Sequence, residues 1–394
     1  MILTIPTPAS RAASPDEELL RLEAAIRDTA EAERRATFRV QMAKCLHDLG
    51  EWQRGMAQLA AANRESPKNP YVLRGLGMAT CRTGDWRKGL RLYDEGRWQM
   101  PSFDKFKRPY PFRPWQGQDL VGKRILVWAE QGIGDQVMQA RVLADLLERG
   151  AQVDVECEPR LIALFQRCFP TVEFHTQTVS LVPALLAQKF DFQVSMLSAW
   201  RWASRSAAEA KCMGVDRGLC QQFQRAWQKQ DRGERCLNVG LAWSSRAKAT
   251  GERRSLSLSM LSLLPGIAAG RARFHNLQYG EYDSAALSRQ LGAPLWTDAQ
   301  GDPLKNLDRQ CAQIAALDLV ITIDNATAHL AGALGVPCWV LMPKGSEFRW
   351  GTDEETTAMY KSVRLFRSTD SDSWGAALLR VADALGQRLE GRLS

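Results

Sequence analysis

The sequence predicts an α/β protein in which two Rossmann-like lobes, each built on a parallel sheet, follow an all-α segment. Three observations support this. The first hundred residues repeat with a period of 34 residues, the remainder alternates short apolar strands with helices, and two Gly- or Ala-rich turns each join a strand to a helix. Alternating strands and helices are typical of parallel sheets that helices cover on both faces.

The all-α segment is predicted over residues 1–105. Gly50-Glu51-Trp52 aligns with Gly84-Asp85-Trp86, and Pro67 aligns with Pro101. A period of this length is typical of tetratricopeptide repeats, in which each unit is a pair of helices. The segment resembles two such repeats, at 36–69 and 70–103, with a further helix at about 15–33 before them. Docking of a protein partner and simple packing both remain possible roles.

The first Rossmann-like lobe is predicted over residues 106–232. Its strands are expected at 124–128, 153–157, 172–175 and 190–194. After the first strand, the turn Gln131-Gly-Ile-Gly-Asp135 leads into a helix from about 136 to 149. The carboxyl edge of a parallel sheet is where such folds bind ligands. We therefore expect this turn to belong to a site.

The second Rossmann-like lobe is predicted over residues 233–394. Its strands are expected at 237–243, 274–277, 319–323, 338–341 and 363–366, and its last helix at 374–388. The turn Asp324-Asn325-Ala326 joins the buried third strand to a helix expected at 325–334. A helix start presents free amide groups to an anion, so this turn is a candidate phosphate site.

Composition narrows the function classes. The chain has 52 Lys and Arg against 44 Asp and Glu, a net charge of +8, and nine scattered Cys without a Cys-x-x-Cys pair. An anionic ligand suits this excess, but no basic block or aromatic–basic pattern indicates nucleic acid. We expect a reduced, cytoplasmic chain, with the inner face of the membrane as a second location and no transmembrane segment. No spacing of metal ligands is present, and no P-loop.

Two motifs carry a resemblance to a family. The run Ala129-Glu-Gln-Gly-Ile-Gly-Asp135 resembles the first loop, and the run from Asp318 to Pro337 the donor loop, of bacterial heptosyltransferases (glycosyltransferase family 9). With its repeats, the whole chain resembles bacterial tetratricopeptide-repeat proteins that end in such a domain. The resemblance implies a GT-B fold, an acceptor side in the first lobe, a donor side in the second, and inverting transfer of a hexosyl- or heptosyl-type sugar without a metal or other cofactor. It also implies a nucleotide-sugar donor.

The resemblance assigns roles to particular residues. Asp135 matches the proposed general base, and Gln131, Gly132 and Gly134 form its acceptor-side loop. A common alternative for Asp135 is to cap its helix. The donor loop departs from the family's Asp-Thr-Gly at Asn325-Ala326. Residues predicted to bind the donor lie in or after the second lobe's strand ends, namely Ser244, Lys248, Arg254, Gln278, Asp324, Asn325, Ala326, Thr327, His329, Gly345 and Ser346.

Three functions remain open at this point. The first is a metal-independent glycosyltransferase acting on a protein or a cell-surface glycan, with the repeats favouring a protein acceptor. The second is a repeat scaffold with a degenerate transferase domain, since the donor loop departs from the family. The third is a dinucleotide-dependent oxidoreductase, because Gly132-x-Gly134 follows a strand and Glu156 or Glu158 lies near the expected ribose-binding position. Val137 at the third glycine position weakens that reading.

Overall fold

Five helices form the N-terminal segment. The computed structural model describes residues 14–203, 212–230, 236–247, 250–280, 282–369 and 374–391. The five helices are α1 (Pro15–Asp28), α2 (Ala32–Asp48), α3 (Trp52–Glu65), α4 (Pro70–Arg82) and α5 (Trp86–Arg97). Asn69 and Asp85 begin the last two, and each side chain accepts amide hydrogen bonds from the first helical turn. The helix expected at about 15–33 thus ends at Asp28.

Glycines allow α4 and α5 to pack at very short range. A Cβ at Gly77 would lie 2.4 Å from the Tyr93 amide nitrogen, and one at Gly89 would lie 2.5 Å from Cys81 Sγ. In the preceding pair, a Cβ at Gly55 would lie 3.1 Å from the Ala43 carbonyl oxygen. Gly55 and Gly89 are 34 residues apart, as are Ala43 and Gly77, so small residues recur with the period of the repeat where the two helices of each pair touch.

Substituting Gly77 with Ala is expected to destabilise the protein by about 1–3 kcal/mol, because the methyl group would overlap backbone atoms of α5. Gly266→Ala is the matched control. No atom lies within 4 Å of a Cβ built at Gly266, which is also helical. That change is expected to stabilise by about 0.5–1 kcal/mol. Denaturant unfolding measures both, and equal effects would contradict the close-packing argument.

The first lobe has a four-stranded parallel sheet in the order β3-β2-β1-β4. Its strands are β1 (Arg124–Trp128), β2 (Gln152–Cys157), β3 (Glu173–Thr176) and β4 (Phe192–Ser195). Its helices are α6 (Ile133–Gln139), α7 (Val142–Glu148), α8 (Pro159–Gln166), α9 (Pro183–Leu186), α10 (Met196–Ala199) and α11 (Arg217–Gln228). The single helix expected at 136–149 is two helices, and the first begins earlier, at Ile133. Asp135 therefore lies inside a helix rather than before it.

The second lobe has a six-stranded parallel sheet in the order β10-β9-β8-β5-β6-β7. Its strands are β5 (Leu237–Ala242), β6 (Ala272–Asn276), β7 (Leu295–Trp296), β8 (Leu319–Ile323), β9 (Cys338–Met342) and β10 (Val363–Arg367). Its helices are α12 (Gly251–Arg254), α13 (Leu263–Ala268), α14 (Ser284–Leu291), α15 (Leu307–Ala316), α16 (Ala326–Leu334) and α17 (Gly375–Leu389). Strand β7 and helix α14 were not predicted from the sequence. A strand of two residues is too short to show a periodicity.

The helical segment packs on both lobes. Trp86 of α5 has its ring centroid 5.9 Å from that of Trp200 in the first lobe and 5.8 Å from that of Phe348 in the second. Cys81, Leu90 and Tyr93 belong to the same buried apolar cluster as residues of both sheets. The α/β fold with parallel sheets is thus present, and the helices before it share its core. No helix in the described ranges combines the length and apolar character needed to span a bilayer.

Candidate active site between the two lobes

The predicted base, Asp135, lies in the first turn of α6. Its Oδ2 accepts a hydrogen bond from the Gly132 amide at 3.2 Å, and its Oδ1 lies 2.8 Å from Arg349 Nη1 in the second lobe. The N-cap residue is Gly132, but the Asp135 side chain accepts from its amide as the third helical residue of a capping box does, so Asp135 does help to cap its helix. The Asp135 side chain is 19% exposed. Both oxygens thus have a partner, and the carboxylate is still partly exposed, as a group that exchanges a proton with a bound molecule must be.

The backbone conformation of Gln131 turns the chain sharply between β1 and α6. Its φ is 68°, in the left-handed region that non-glycine residues seldom adopt. Its carbonyl oxygen accepts a hydrogen bond from the Gln136 side chain at 3.3 Å. The strained turn therefore joins β1 to α6 within four residues and places Asp135 over the carboxyl edge of the sheet.

The second lobe brings an acid and a cation to the facing edge. Asp324 directly follows β8, is 1% exposed, and has its Oδ2 3.4 Å from Arg254 Nη1. Burial raises the pKa of Asp324, against the opposing effect of the guanidinium groups of Arg349 and Arg254. Arg254 reaches this carboxylate from the end of α12, which follows β5. The segments that follow two strands of the same sheet, β5 and β8, thus supply the two partners of this ion pair.

His329 lies one turn into α16 and is fully enclosed. Its Nδ1 is 3.1 Å from the Tyr360 hydroxyl, and its ring stacks on Trp350 with centroids 4.9 Å apart. Burial, together with the nearby charges of Arg349 and Arg254, lowers the pKa of His329 far below its usual value. The imidazole is therefore neutral at pH 7 and can offer one donor and one acceptor, but no charge.

The lobes touch where these two groups of residues meet. A Cβ at Gly134 would lie 2.9 Å from His329 Cδ2 and 3.2 Å from the Ala326 Cα. Nearby, the Arg141 guanidinium donates to the Met359 carbonyl oxygen across the same boundary. Gly134 thus permits close contact of α6 with α16. The two motifs that the sequence analysis singled out are neighbours in space.

Several polar atoms in this region lack partners although they are buried. Among the described residues, these include Arg254 Nε, Asp324 Oδ1, His329 Nε2 and Arg349 Nε. Nearly all buried polar groups in folded proteins are hydrogen-bonded, and leaving one without a partner costs about 1–3 kcal/mol. These atoms belong to neighbouring residues, since Arg254 pairs with Asp324 and the charges of Arg254 and Arg349 act on His329, and they mark a region where a polar ligand would complete the hydrogen bonding.

The remaining predicted donor residues have local partners. The Gln278 side-chain oxygen accepts from the amides of Trp243 and Ser244, at 3.0 and 2.8 Å, so Gln278 and Ser244 join the ends of β6 and β5. Asn325 caps α16 by accepting from the amides of Thr327 and Ala328, at 2.9 and 3.4 Å. A phosphate at this helix start would have to compete with that cap.

Gly345 and Ser346 face the helical segment. A Cβ at Gly345 would lie 2.5 Å from the His47 carbonyl oxygen, and the Ser346 hydroxyl accepts from Arg367 at 2.7 Å. Lys248 lies outside the described residues. Donor binding by these residues stays a prediction.

Arg349 is the residue that sequence reasoning missed. No motif or spacing in the sequence assigned a role to Arg349. Its guanidinium is buried, yet the carboxylates of Asp135, Glu347 and Asp324 raise its pKa above the ordinary value. The signal available in the sequence was a lone Arg after β9, at the same sheet edge as Asp324. Tyr360, which holds His329, gave no such signal.

The structure also bears on two further possibilities, a dinucleotide-binding site and a metal site. The oxidoreductase alternative depended on Glu156 or Glu158. Glu158 is 26% exposed and pairs with Arg160 at 2.7 Å. Glu156 is fully buried and accepts hydrogen bonds from Arg108 Nε and the Tyr110 hydroxyl, at 3.1 and 3.0 Å. It is therefore not available to a ribose. Among the described residues, Asp154, Glu173 and His175 form a possible metal-ligand group. The Arg124 guanidinium already donates to Asp154 there, at 2.9 and 3.0 Å, so a cation is already in place.

Comparisons with known proteins give the following similarities. No family model matches the chain. Protein FlbA of Caulobacter vibrioides is 32% identical over 361 residues, which are 86% of this chain and 59% of that protein. The chain thus spans about three-fifths of the length of this curated relative.

Solved structures with a related shape are glycosyltransferases. A glycosyl transferase family 9 protein from Veillonella parvula has a TM-score of 0.48 and 11% identity, over 69% of this chain and 99% of its own. The ADP-heptose LPS heptosyltransferase II of E. coli has a TM-score of 0.46 and 14% identity, over 68% of this chain and 99% of its own. The function proposed next rests on this chain's own residues.

Proposed function

We propose that this protein is a glycosyltransferase that moves a sugar from a nucleotide-sugar donor to a hydroxyl group of a protein or a cell-surface glycan. The proposal rests on one observation, namely that two groups of polar residues with different chemistry, one from each lobe, meet at the boundary between the lobes. The first lobe contributes a partly exposed carboxylate, Asp135, and the second contributes two partly exposed cations, Arg254 and Arg349, with buried polar atoms that have no partner. A base on one side and an anion-binding site on the other are what transfer from a phosphorylated donor needs.

The donor phosphates belong on the side of the second lobe in this proposal. Arg254 is 14% exposed at its side chain, and its Nε has no partner among the described residues. A guanidinium can hold two phosphate oxygens at once. With Arg349 beside it, Arg254 would supply the positive charge that the leaving nucleoside diphosphate requires, so we propose that no metal is needed. His329, neutral and with Nε2 unpartnered, would donate to or accept from the sugar or phosphate.

The transfer step follows from this placement. The Asp135 carboxylate takes the proton of the acceptor hydroxyl while that oxygen forms a bond to the anomeric carbon. The bond from this carbon to the donor phosphate breaks, and its electron pair leaves with the nucleoside diphosphate. Direct displacement inverts the anomeric centre. Arg349, at 2.8 Å from Oδ1, and the Gly132 amide, at 3.2 Å from Oδ2, would hold the carboxylate in place, and a remaining lone pair would take the proton.

The acceptor is proposed on separate grounds. Helical repeats commonly bind polypeptides, and three helices, α2, α4 and α5, lie directly against the lobes that form the site. We therefore favour a protein acceptor over a glycan. A comparison of transfer to polypeptide and to glycan fractions, once a donor is known, would decide between them.

A nucleotide-binding experiment tests the proposal. Arg254→Ala is expected to weaken the binding of UDP, ADP or GDP, whichever the wild type binds, by about 10- to 100-fold in calorimetry, because a charge-assisted hydrogen bond to phosphate is lost. The control is Arg289→Ala, at an exposed arginine on α14 whose nearest acid is Asp283 at 3.9 Å. A thermal-shift screen with the same nucleotides, together with NADH and FAD, identifies the ligand by mass action.

The outcomes separate the candidate functions. Stabilisation by a nucleoside diphosphate that Arg254→Ala removes supports the transferase. Stabilisation by NADH or FAD alone would favour the oxidoreductase. A wild-type protein that binds none of these ligands would favour a scaffold with a degenerate domain.

A further inference from the structure

The loop of residues 343–351, between β9 and β10, carries two contacts of the candidate active site. Arg349 reaches Asp135 of the first lobe, and Trp350 stacks on His329. Arg349 and Trp350 lie in a short 3₁₀ turn, Phe348–Trp350. Any shift of this turn would therefore move the partner of the proposed base and the ring that supports the buried imidazole.

One arginine of the helical segment holds both sides of that turn. Arg82, the last residue of α4, donates from Nη1 to the Gly351 carbonyl oxygen at 3.3 Å and from Nη2 to the Ser346 carbonyl oxygen. The planar fork of a guanidinium suits two acceptors at a fixed separation. Ser346 and Gly351 flank Phe348–Trp350, so Arg82 clamps the loop across the turn.

Residues at and just after the end of α2 also contact the loop of residues 343–351. His47 Nε2 lies 3.1 Å from the Ser346 carbonyl oxygen, and Asp48 forms an ion pair with Arg253. A Cβ at Gly50 would lie 2.5 Å from the Lys344 side chain, so no space remains there. Arg253 precedes Arg254, the proposed phosphate ligand. The helical segment thus contacts both chain segments that supply arginines to the site.

Burial of the Arg82 guanidinium costs solvation free energy. Arg82 is 5% exposed, its hydrogen bonds run to two carbonyl oxygens, and its Nη2 lies 2.5 Å from His47 Nε2. Burial and the nearby Arg367 guanidinium lower the pKa of Arg82 to about 10. A buried cation held by carbonyl oxygens contributes less to stability than an apolar side chain of similar size would. Its bonds do, however, fix the geometry of the loop.

We propose that Arg82 is a positioning residue of the candidate active site, which bridges the Ser346 and Gly351 carbonyl oxygens and thereby holds Arg349 against Asp135. The inference rests on the proposed function for its effect on nucleotide binding, but not for its effect on the loop. It makes the helical segment a working part of the site in addition to any role in binding a partner.

The test compares Arg82→Met with Arg74→Met. Arg74 lies on the same helix, and its guanidinium faces the rings of Tyr93 and Phe103, at 5.9 and 5.3 Å. Hydrogen–deuterium exchange of the peptide covering 344–352 reports on the loop, and the peptide covering β8 is the internal reference. Calorimetry with UDP, ADP and GDP reports on the site.

We expect Arg82→Met to accelerate exchange in 344–352 by about tenfold or more and to weaken nucleotide binding by about tenfold, because a small displacement of a positioned group has a large effect. Arg74→Met should leave the exchange rate and the nucleotide affinity unchanged even if it lowers the melting temperature.

Unchanged exchange in Arg82→Met overturns the inference, and so does faster exchange with unchanged nucleotide affinity. If the wild type binds none of the nucleotides, the proposed function fails, while the exchange result still decides whether Arg82 holds the loop. Should Arg82→Met not fold, Arg82→Lys keeps the charge without the fork and carries the same test.

Discussion

Asp135→Asn is expected to lower the rate of glycosyl transfer by about 10²–10⁴-fold, the usual contribution of a general base. The amide has the shape of the carboxylate but cannot take the acceptor proton. Nucleotide binding is expected to be unchanged or tighter. The change removes a negative charge 2.8 Å from Arg349 and so leaves that guanidinium free for phosphate. Loss of turnover without loss of donor affinity is the signature of a group that acts only on the reacting atoms.

The control for this prediction is Asp308→Asn. Asp308 of the second lobe pairs with Arg167 of the first at 2.7 Å, with side chains that are 25% and 33% exposed, so this pair, like that of Asp135 with Arg349, joins an acid to an arginine across the lobes. This variant should turn over at the wild-type rate. Transfer by Asp135→Asn within a few-fold of wild type would show that Asp135 only links α6 to Arg349.

Arg97→Met is expected to destabilise the protein by about 3–5 kcal/mol, because it leaves a buried carboxylate without its cation. Arg97 is fully buried at the end of α5. It donates to both oxygens of Glu130, at 2.5 and 2.9 Å, and to Asp94 at 2.9 Å. Glu130 is also fully buried and lies next to Gln131, at the start of the acceptor-side loop. The carboxylates of Glu130 and Asp94 raise the pKa of Arg97 in spite of its burial.

Two further variants make this prediction specific. Arg91→Met, on the same helix, breaks an exposed pair with Glu95 at 3.2 Å and should change stability by less than about 1 kcal/mol. Adding Glu130→Gln to Arg97→Met should recover part of the lost stability, since the stranded charge is gone. Chemical denaturation measures all three. A double variant as unstable as the single one would assign the loss to packing of the Arg97 stem over Trp98, whose ring lies 4.0 Å from the guanidinium.

The parts of the molecule that the sequence predicted well are those determined by local pattern. The strand expected at 319–323 is β8, with all five residues buried, and a run of five apolar or β-branched residues bounded by Asp318 and Asp324 is enough to identify it. The helix pairs at the N-terminus follow from a register that repeats within the chain. The turns that carry Asp135 and Asp324 were identified because each joins a buried strand to a helix, whereas the roles of the two residues came from the family resemblance.

The parts that were missed depend on contacts between distant segments. The contact of Arg349 with Asp135 joins two lobes, and that of Arg82 with Ser346 joins the helical segment to the second lobe. A single sequence contains no periodicity that records such pairs. Ser346 was expected to bind the donor because of its place after β9. That position is correct, but its carbonyl oxygen faces α4.

Repeat proteins commonly change length during evolution, because each unit contacts only its neighbours and can be duplicated or lost. The carbonyl clamp at Arg82 and the contact of His47 with Ser346 remove that freedom here, since α4 and α2 each touch the same loop. An extra 34-residue unit between them would shift one contact away from its target. We therefore expect relatives of this chain to keep the spacing between these two helix pairs constant, and to vary in length elsewhere.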